Sequence, residues 1–300
     1  MDISSFVSKL KENKIEYSLY EQMKKHTTFK IGGEADVFVA PLNENELEFV
    51  LKTANGYSVP VFILGKGSNI LVSDKGIEGA VVSLNKMDKI TVEGEEITCE
   101  SGANLSAVCM AALENGLTGL EFAYGIPGSV GGALYMNAGA YGGEMSDVVA
   151  CAYCIDKNGN EIYIEKDKME LSYRHSVFMN GFIVTKVILK LKKGDKAEIK
   201  AKMQELLARR KDKQPLDFPS AGSTFKRPEG NFAGTLIEKC GLKGEEVGGA
   251  AVSQKHAGFI INQNNATSKD VLDLIDKVRQ SVYKSENIML EPEVIFVGRR

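Results

Sequence analysis

The hexapeptide SAGSTF, residues 220–225, sets one hydroxyl, Ser223, between a glycine and an apolar stretch, with no histidine or carboxylate beside it. A serine nucleophile needs a neighbouring base and a strained turn such as G-x-S-x-G, and the second glycine is missing here. A loop hydroxyl bonding its own backbone is the alternative that these residues leave open. Two glycine-rich segments point more directly to a ligand. In ILGKGSNILV the run Gly65-Lys66-Gly67-Ser68-Asn69 separates two apolar stretches. Glycine lets backbone N–H groups turn inward around an anion, and Ser68 and Asn69 add donors, so the segment has the physics of a diphosphate cradle. It matches neither common nucleotide motif: glycine follows Lys66 where a P-loop needs Ser or Thr, and Ile70 stands where a dinucleotide fingerprint needs a third glycine. An ordinary glycine turn between strands fits the same residues.

The second segment, GIPGSVGGALYMNAGAYG at 125–142, removes side-chain bulk over a long stretch while Pro127 directs the chain. Backbone of this kind can lie flat against a planar ring. A flexible linker would be polar where Leu134, Tyr135, Met136 and Tyr141 stand.

G-x-G-S-N followed about sixty residues later by G-I-P-G-[ST]-x-G-G-A resembles the flavin-binding domain of the vanillyl-alcohol-oxidase-type flavoproteins. Within that group the chain is similar, from about Thr27 to Gly298, to the bacterial UDP-N-acetylenolpyruvoylglucosamine reductases. NAGAYG (137–142), YRHS (173–176), AGSTFKRP (221–228), GGAAVS (248–253) and EPEVIFVG (291–298) carry the likeness. The resemblance implies an NADP-dependent oxidoreductase with non-covalent FAD. It would reduce the enolpyruvyl ether of UDP-N-acetylglucosamine to UDP-N-acetylmuramate for peptidoglycan, with NADPH as reductant. It implies flavin contacts from Leu64, Gly65, Lys66, Gly67, Ser68, Asn69, Ile70 and Leu71 in the first segment. From the second it implies Gly125, Ile126, Pro127, Gly128, Ser129, Val130, Gly131, Gly132, Ala133, Asn137, Ala138 and Gly139.

Hydride arriving at the vinyl CH2 puts negative charge on the neighbouring carbon and its carboxylate, so that charge must be held and a proton delivered. Carried over by motif, Arg174 and Glu293 flank the carboxylate and Ser223 is the proton donor. A guanidinium suits because it binds a carboxylate bidentately and stays charged. A carboxyl group there is useful only protonated or sharing a proton. The UDP moiety needs cations, and ARRKDKQP before the Ser223 loop supplies them; Arg210 and Lys213 are the chosen pair, with Arg227 after the loop and Tyr141 as a pocket wall. A solvated basic helix end is the alternative for the lysines and arginines. No tyrosine-bearing insertion precedes Ser223, so the chain resembles the shorter subtype of the family. His26, His175 and His256 lie outside both glycine segments, which argues against a histidyl-linked flavin; His256 is structural or lines the sugar pocket.

These residues need a scaffold, and 300 residues suffice for two domains. Hydrophobic residues at 43%, charged residues at 26% and a net charge of -3 describe an ordinary globular chain with no general attraction to nucleic acid or membrane. The five cysteines are scattered, and Cys151 and Cys154 lack the second pair of a zinc site, so buried free thiols and no metal are expected. Phe6, Val7 and Leu10 make the start of the chain an amphipathic helix and not a signal peptide, and no apolar run could span a bilayer, so a cytoplasmic protein is expected. A monomer is expected as well.

Periodicity predicts a helix over about 44–54 closed by Asn55-Gly56, a strand VPVFILG, a hairpin centred on Glu-Gly-Glu, and a helix from Leu105 to Asn115. A second hairpin turns at Asn158-Gly159. After the charged KKGDK come a basic helix, a short helix ending at Gly241, short strands, a helix from Ser268 and a last strand EVIFVG. The class is α+β in two lobes: an FAD-binding lobe over 1–194, made of subdomains near 1–84 and 85–194, and an α/β substrate-binding lobe over 195–300. An FAD-dependent oxidase of the same fold, acting on another small polar substrate, and a nucleotide-binding protein without redox activity are the competing readings.

Overall fold

Several helices of this chain start where a short polar side chain caps them. The carboxylate of Asp2 accepts the N–H of Ser5 at 3.0 Å, opening α1 (Ile3–Glu12), which buries Phe6 and Leu10. Asn43 does the same for α2 (Glu44–Gly56), Asn104 for α3 (Leu105–Glu114) and Ser129 for α4 (Val130–Tyr135). The one-turn α5 (Met145–Val148) and the basic α6 (Lys196–Lys213) follow. Where Asn55-Gly56 was expected to end α2, the helix runs through both. Tyr57 still donates to Thr53 at 3.2 Å, and the left-handed residue that turns the chain is Ser58, at φ 54°.

The structure is a computed structural model describing residues 1–156 and 159–300. It divides into two units, each discontinuous in sequence: Met1–Ser18, Val37–Lys66 and Gly79–Arg210 form one, and Leu19–Asp36, Gly67–Glu78 and Lys211–Arg300 the other. Helices and sheets intermix in both, as an α+β chain requires.

The first unit holds two apolar cores. One gathers Phe6 and Leu10 of α1 with Leu47, Val50 and Ala54 of α2, over Ala80 and Val82 of the strand Ile77–Ser83. That strand pairs in parallel with Val61–Leu64. The other core covers a five-stranded antiparallel sheet in the order Glu161–Glu165, Val149–Ile155, Ile183–Lys190, Glu96–Glu100, Ile90–Glu93. Against it pack Leu105, Val108 and Cys109 of α3, Val130 and Leu134 of α4, and Ile199 and Met203 of α6. The expected Glu-Gly-Glu hairpin forms, with Glu93 opposite Glu96 and Gly94 left-handed at φ 63°. The second hairpin pairs Ile155 with Glu161; Asn158 of its expected turn lies outside the described residues.

The second unit is built on a parallel pair, Ile70–Val72 with Ile295–Val297, and an antiparallel sheet of Glu246–Val247, Ala250–Val252 and Ile260–Asn262. Two helices complete it, α7 (Ala233–Lys239) and α8 (Ser268–Glu286). Its core joins Leu71, Phe225, Ile237, Val252 and Ile260 to the inner stripe of α8, namely Val271, Leu274, Val278 and Val282. Thr267 and Asp270 form a capping box on α8, and the Asp74 carboxylate also accepts from Ser268 N at 2.8 Å and Ser268 Oγ at 2.7 Å. Negative charge there favours the helix. Among the described residues no helix is long and apolar enough to cross a membrane.

All five cysteines are free thiols; Cys99, Cys109, Cys151 and Cys154 are buried and Cys240 is half-buried. Burial pushes the thiols of Cys99, Cys109 and Cys154 up to about 12, where almost no reactive thiolate exists at neutral pH. Iodoacetamide on the native protein at pH 8 should therefore label Cys240 first and the other four only on unfolding. Mass spectrometry of the labelled protein checks this, and early labelling of Cys99 or Cys109 would contradict the packing described.

Candidate functional site

In the first unit the two glycine segments meet: a Cβ built on Gly65 would lie 2.8 Å from Ser129 Oγ. Ser129 caps α4, its hydroxyl accepting the N–H of Gly132 at 3.3 Å. The neighbouring peptides are tied to the segment at 101–105, with Gly131 N donating to Ser101 O at 2.9 Å, Val130 N to Ala103 O at 2.9 Å and Leu105 N to Gly128 O at 3.0 Å. The approach at Gly131 is so close that a Cβ would stand 1.8 Å from Ser101 Oγ. Only glycine fits there, for a reason of packing inside the protein.

Arg210, at the end of the first unit's part of α6, lies across Gly125, where an added Cβ would meet its Cδ at 2.9 Å. Burial lowers the pKa of this guanidinium, and the Tyr141 phenol opposes the shift. Its neighbour Arg209 stands 5.0 Å over the Tyr141 ring, a cation–π contact. Tyr141 itself is 41% exposed and left-handed at φ 55°.

Arg174 is left-handed too, at φ 54°, a conformation that costs a residue with a Cβ about 1–3 kcal/mol and persists only where its surroundings impose it. The imposing groups are visible. Ser172 and His175 exchange backbone bonds at 3.2 and 3.1 Å, closing a tight turn with Arg174 inside it. Asn137, fully buried, donates from Nδ2 to Ser172 O at 3.0 Å and accepts the N–H of Ser146 at 2.9 Å. Ser176 Oγ donates to Tyr135 O at 2.7 Å. The guanidinium lies 4.9 Å over the Tyr173 ring. The amide of Asn137, a residue expected among the flavin contacts, thus bonds both the turn that bears Arg174 and the N–H of Ser146.

In the second unit Gly67 is left-handed at φ 61°, and a Cβ on it would stand 2.1 Å from His26 O. Thr28 N donates to Gly67 O at 3.1 Å. Asn69 then joins the loop to the strand at Glu293: its Nδ2 donates to Glu293 O at 3.2 Å, and Ile295 N donates to Asn69 O at 3.0 Å. Glu293 N donates in turn to Thr224 O at 2.8 Å. Ser223, adjacent to Thr224, is exposed while Thr224 is buried.

Thr224, Thr28 and Asn262 carried no signal in the sequence, yet they hold the Ser223 loop. Thr224 donates its N–H to Gly258 O at 2.8 Å and accepts Ile260 N–H on Oγ1 at 2.9 Å. Thr28 Oγ1 donates to Ser220 O at 2.6 Å, and Asn262 donates its own N–H to Pro219 O at 2.9 Å. Only the adjacency of Thr224 to Ser223 could have hinted at it. Of the expected cations here, Lys213 is exposed at the end of α6, and Arg227 stands 4.9 Å over the Phe232 ring. Of the expected catalytic residues, Ser223 and Glu293 belong to this unit and Arg174 to the first.

Residues 35–164 match the family model described as an FAD binding domain, and residues 214–297 match the C-terminal domain of UDP-N-acetylenolpyruvoylglucosamine reductase. The UDP-N-acetylenolpyruvoylglucosamine reductase of Clostridium perfringens is 51% identical over 288 residues, spanning 96% of this chain and 95% of its own. A crystal structure of the reductase of that name from Thermus caldophilus superposes with a TM-score of 0.81 at 35% identity, over 94% of this chain and 98% of that one. Berberine bridge enzyme from Eschscholzia californica shares the fold alone, with a TM-score of 0.50 at 16% identity over 64% of this chain and 44% of its own.

Removing the Asn137 amide would take away two part-buried hydrogen bonds, to the Ser172 carbonyl and from the Ser146 N–H, each worth about 0.5–1.5 kcal/mol. Asn137→Ala should therefore cost about 1–3 kcal/mol of unfolding free energy, measured as a lowered urea midpoint. An unchanged midpoint would mean that the turn does not depend on this side chain.

Proposed function

Because the chain belongs to the UDP-N-acetylenolpyruvoylglucosamine reductase family, we propose that it reduces the enolpyruvyl ether of UDP-N-acetylglucosamine to UDP-N-acetylmuramate for peptidoglycan, with FAD as cofactor and NADPH as reductant. The observation that carries this reading is 51% identity sustained over 96% of the chain. The residues fit a flavin dinucleotide: a glycine loop with backbone N–H groups at Gly67, Ser68 and Asn69 suits its diphosphate, and the small residues at 125–133 suit a flat ring. Bound FAD supplies hydride transfer between NADPH and the vinyl carbon. We place the reaction in the cytoplasm, in keeping with the requirement for NADPH.

The chain's own residues manage charge and the proton. Arg174 takes the substrate carboxylate on its guanidinium, which offers two parallel donors and keeps its charge. Its backbone strain is the cost of presenting that group from a tight turn. Ser223 Oγ gives its proton to the carbon beside the carboxylate as the hydride adds to the CH2, so the pair of electrons comes from NADPH and the proton from the protein. A hydroxyl is a weak acid and serves only against a strongly basic centre, which the developing carbanion is. Glu293, fixed by its backbone to Thr224 and Asn69, shares a proton with the carboxylate. Lys213 and Arg227, with Arg210 and Tyr141, bind the UDP part; the exposed ammonium at the end of α6 supports this for Lys213.

Ser223→Ala should leave flavin reduction by NADPH at the wild-type rate. It should slow flavin reoxidation by the enolpyruvyl sugar by about 10²-fold or more, the scale of a positioned acid. Stopped-flow absorbance separates the two half-reactions, and wild-type reoxidation with normal product would make Ser223 a structural hydroxyl.

Lys213→Ala should raise KM for the UDP-sugar by about tenfold, as loss of a charged hydrogen bond does, with flavin reduction by NADPH unchanged. A defect confined to the NADPH step would move Lys213 to the reductant's side of the reaction.

A further inference from the structure

His256 lies on the loop that joins the strands Ala250–Val252 and Ile260–Asn262. Its ring is wedged between two glycines: a Cβ built on Gly234 of α7 would lie 3.2 Å from its Cε1, and one built on Gly258 would lie 3.0 Å from the same atom. Phe259 packs its ring edge-on at 5.0 Å. In this orientation Nδ1 accepts the N–H of Gly258 at 3.1 Å. A backbone N–H can only donate, so Nδ1 carries no proton and the ring proton sits on Nε2. Gly258 is buried, and its carbonyl accepts the N–H of Thr224 at 2.8 Å. The next residue toward the N-terminus is Ser223.

We propose that His256 is the positioning residue for Ser223: its neutral ring holds the Gly258 peptide, and that peptide fixes Thr224 and so the aim of the Ser223 hydroxyl. The inference rests on the reading of Ser223 as proton donor. Both glycines fit it, since a side chain at Gly234 or Gly258 would crowd the ring where it now sits. Thr224 transmits the constraint because its N–H and its hydroxyl are both engaged on this loop, at Gly258 and Ile260.

Protonation would set a second N–H against that of Gly258 and break the hold. The surroundings resist it. Burial lowers the pKa of the imidazole most; its own backbone contact raises it, Lys243 lowers it, Glu238 raises it and Lys213 lowers it. Because the folded-state pKa is lowered, the ring's contribution to stability is full above the ordinary histidine pKa and is lost as pH falls through the folded-state value. Positioning of Ser223 has the same window.

The test uses the flavin-loaded enzyme, NADPH and UDP-N-acetylglucosamine enolpyruvate in stopped flow, with amide hydrogen exchange at Gly258 read by NMR. His256→Leu removes the acceptor, while His256→Asn returns one, since an Asn side chain bonds the N–H two residues on. The Leu variant should reduce its flavin with NADPH at the wild-type rate, reoxidise it with the sugar about 10- to 100-fold more slowly, and lose protection at Gly258. The Asn variant should recover most of the rate and protection and lack the acid limb that wild-type reoxidation shows below the ordinary histidine pKa. Wild-type reoxidation in the Leu variant, with Ser223→Ala slow, overturns the positioning role and leaves the proton donor standing. Fast reoxidation in Ser223→Ala overturns the proton donor and with it this inference. A Gly258 amide equally protected in the Leu variant overturns the hydrogen-bonded link itself.

Discussion

The N–H of Glu293 donating to the carbonyl of Thr224 at 2.8 Å is the bond on which the arrangement of the second unit's loops depends. It is a backbone bond, so it sets the serine loop beside the glutamate strand whatever the side chains do. Its neighbours share the load. Lys226 N donates to Glu291 O at 2.8 Å, and Phe225 is bridged to Pro292. Pro292 has no N–H to contribute, and it biases the residue before it toward extended backbone, which suits the carbonyl of Glu291 to its partner. Two residues beyond Glu293, Ile295 N donates to Asn69 O at 3.0 Å and the parallel pair with Ile70–Val72 begins. The glycine loop, the serine loop and the glutamate strand are therefore one hydrogen-bonded object, and displacing any of them strains the other two.

The first unit places its chemistry by a different device. Asn137, Tyr141 and Arg174 all carry positive φ, at 40°, 55° and 54°. Asparagine visits this region readily, whereas tyrosine and arginine do so at a cost. The Asn137 side chain bonds at Ser172 and Ser146, and the Ser172–His175 exchange offsets much of the strain at Arg174. A guanidinium on a regular helix or strand would share its direction with the element; on this turn it is aimed independently of the sheet beside it.

Much of the fold was legible in the sequence because it is local. The apolar spacing of α1 and α2, the start of α8 near Ser268 and the Glu-Gly-Glu hairpin all follow from residues a few positions apart. The end of α2 did not, since Asn-Gly is permitted inside a last turn when the backbone bonds continue through it. The shortest strands, Gly139–Ala140, Lys192–Lys193 and Glu246–Val247, exist only through their partners and carry no pattern of their own. In the site, motif resemblance pointed to Arg174, Ser223 and Glu293, but not to the groups that hold them. Asn137 and Ser172 lie 35 residues apart and Thr28 and Ser220 192 apart, and no residue type announces a bond across such a distance.

The pair Ser223 and Thr224 shows why a hydroxyl can be chemically available without a base beside it. Two adjacent side chains of nearly the same polarity are given opposite tasks. Thr224 is buried at 1% exposure and accepts the N–H of Ile260 on its hydroxyl, and that bond ties the loop to the strand Ile260–Asn262. Ser223 is exposed on the same backbone. Its position is set by its neighbour's bonds and needs none of its own, so the hydroxyl can turn its proton to whatever is presented. A nucleophilic serine requires the opposite arrangement, a base that takes the proton before attack. The division of labour within SAGSTF suits a residue that gives a proton away.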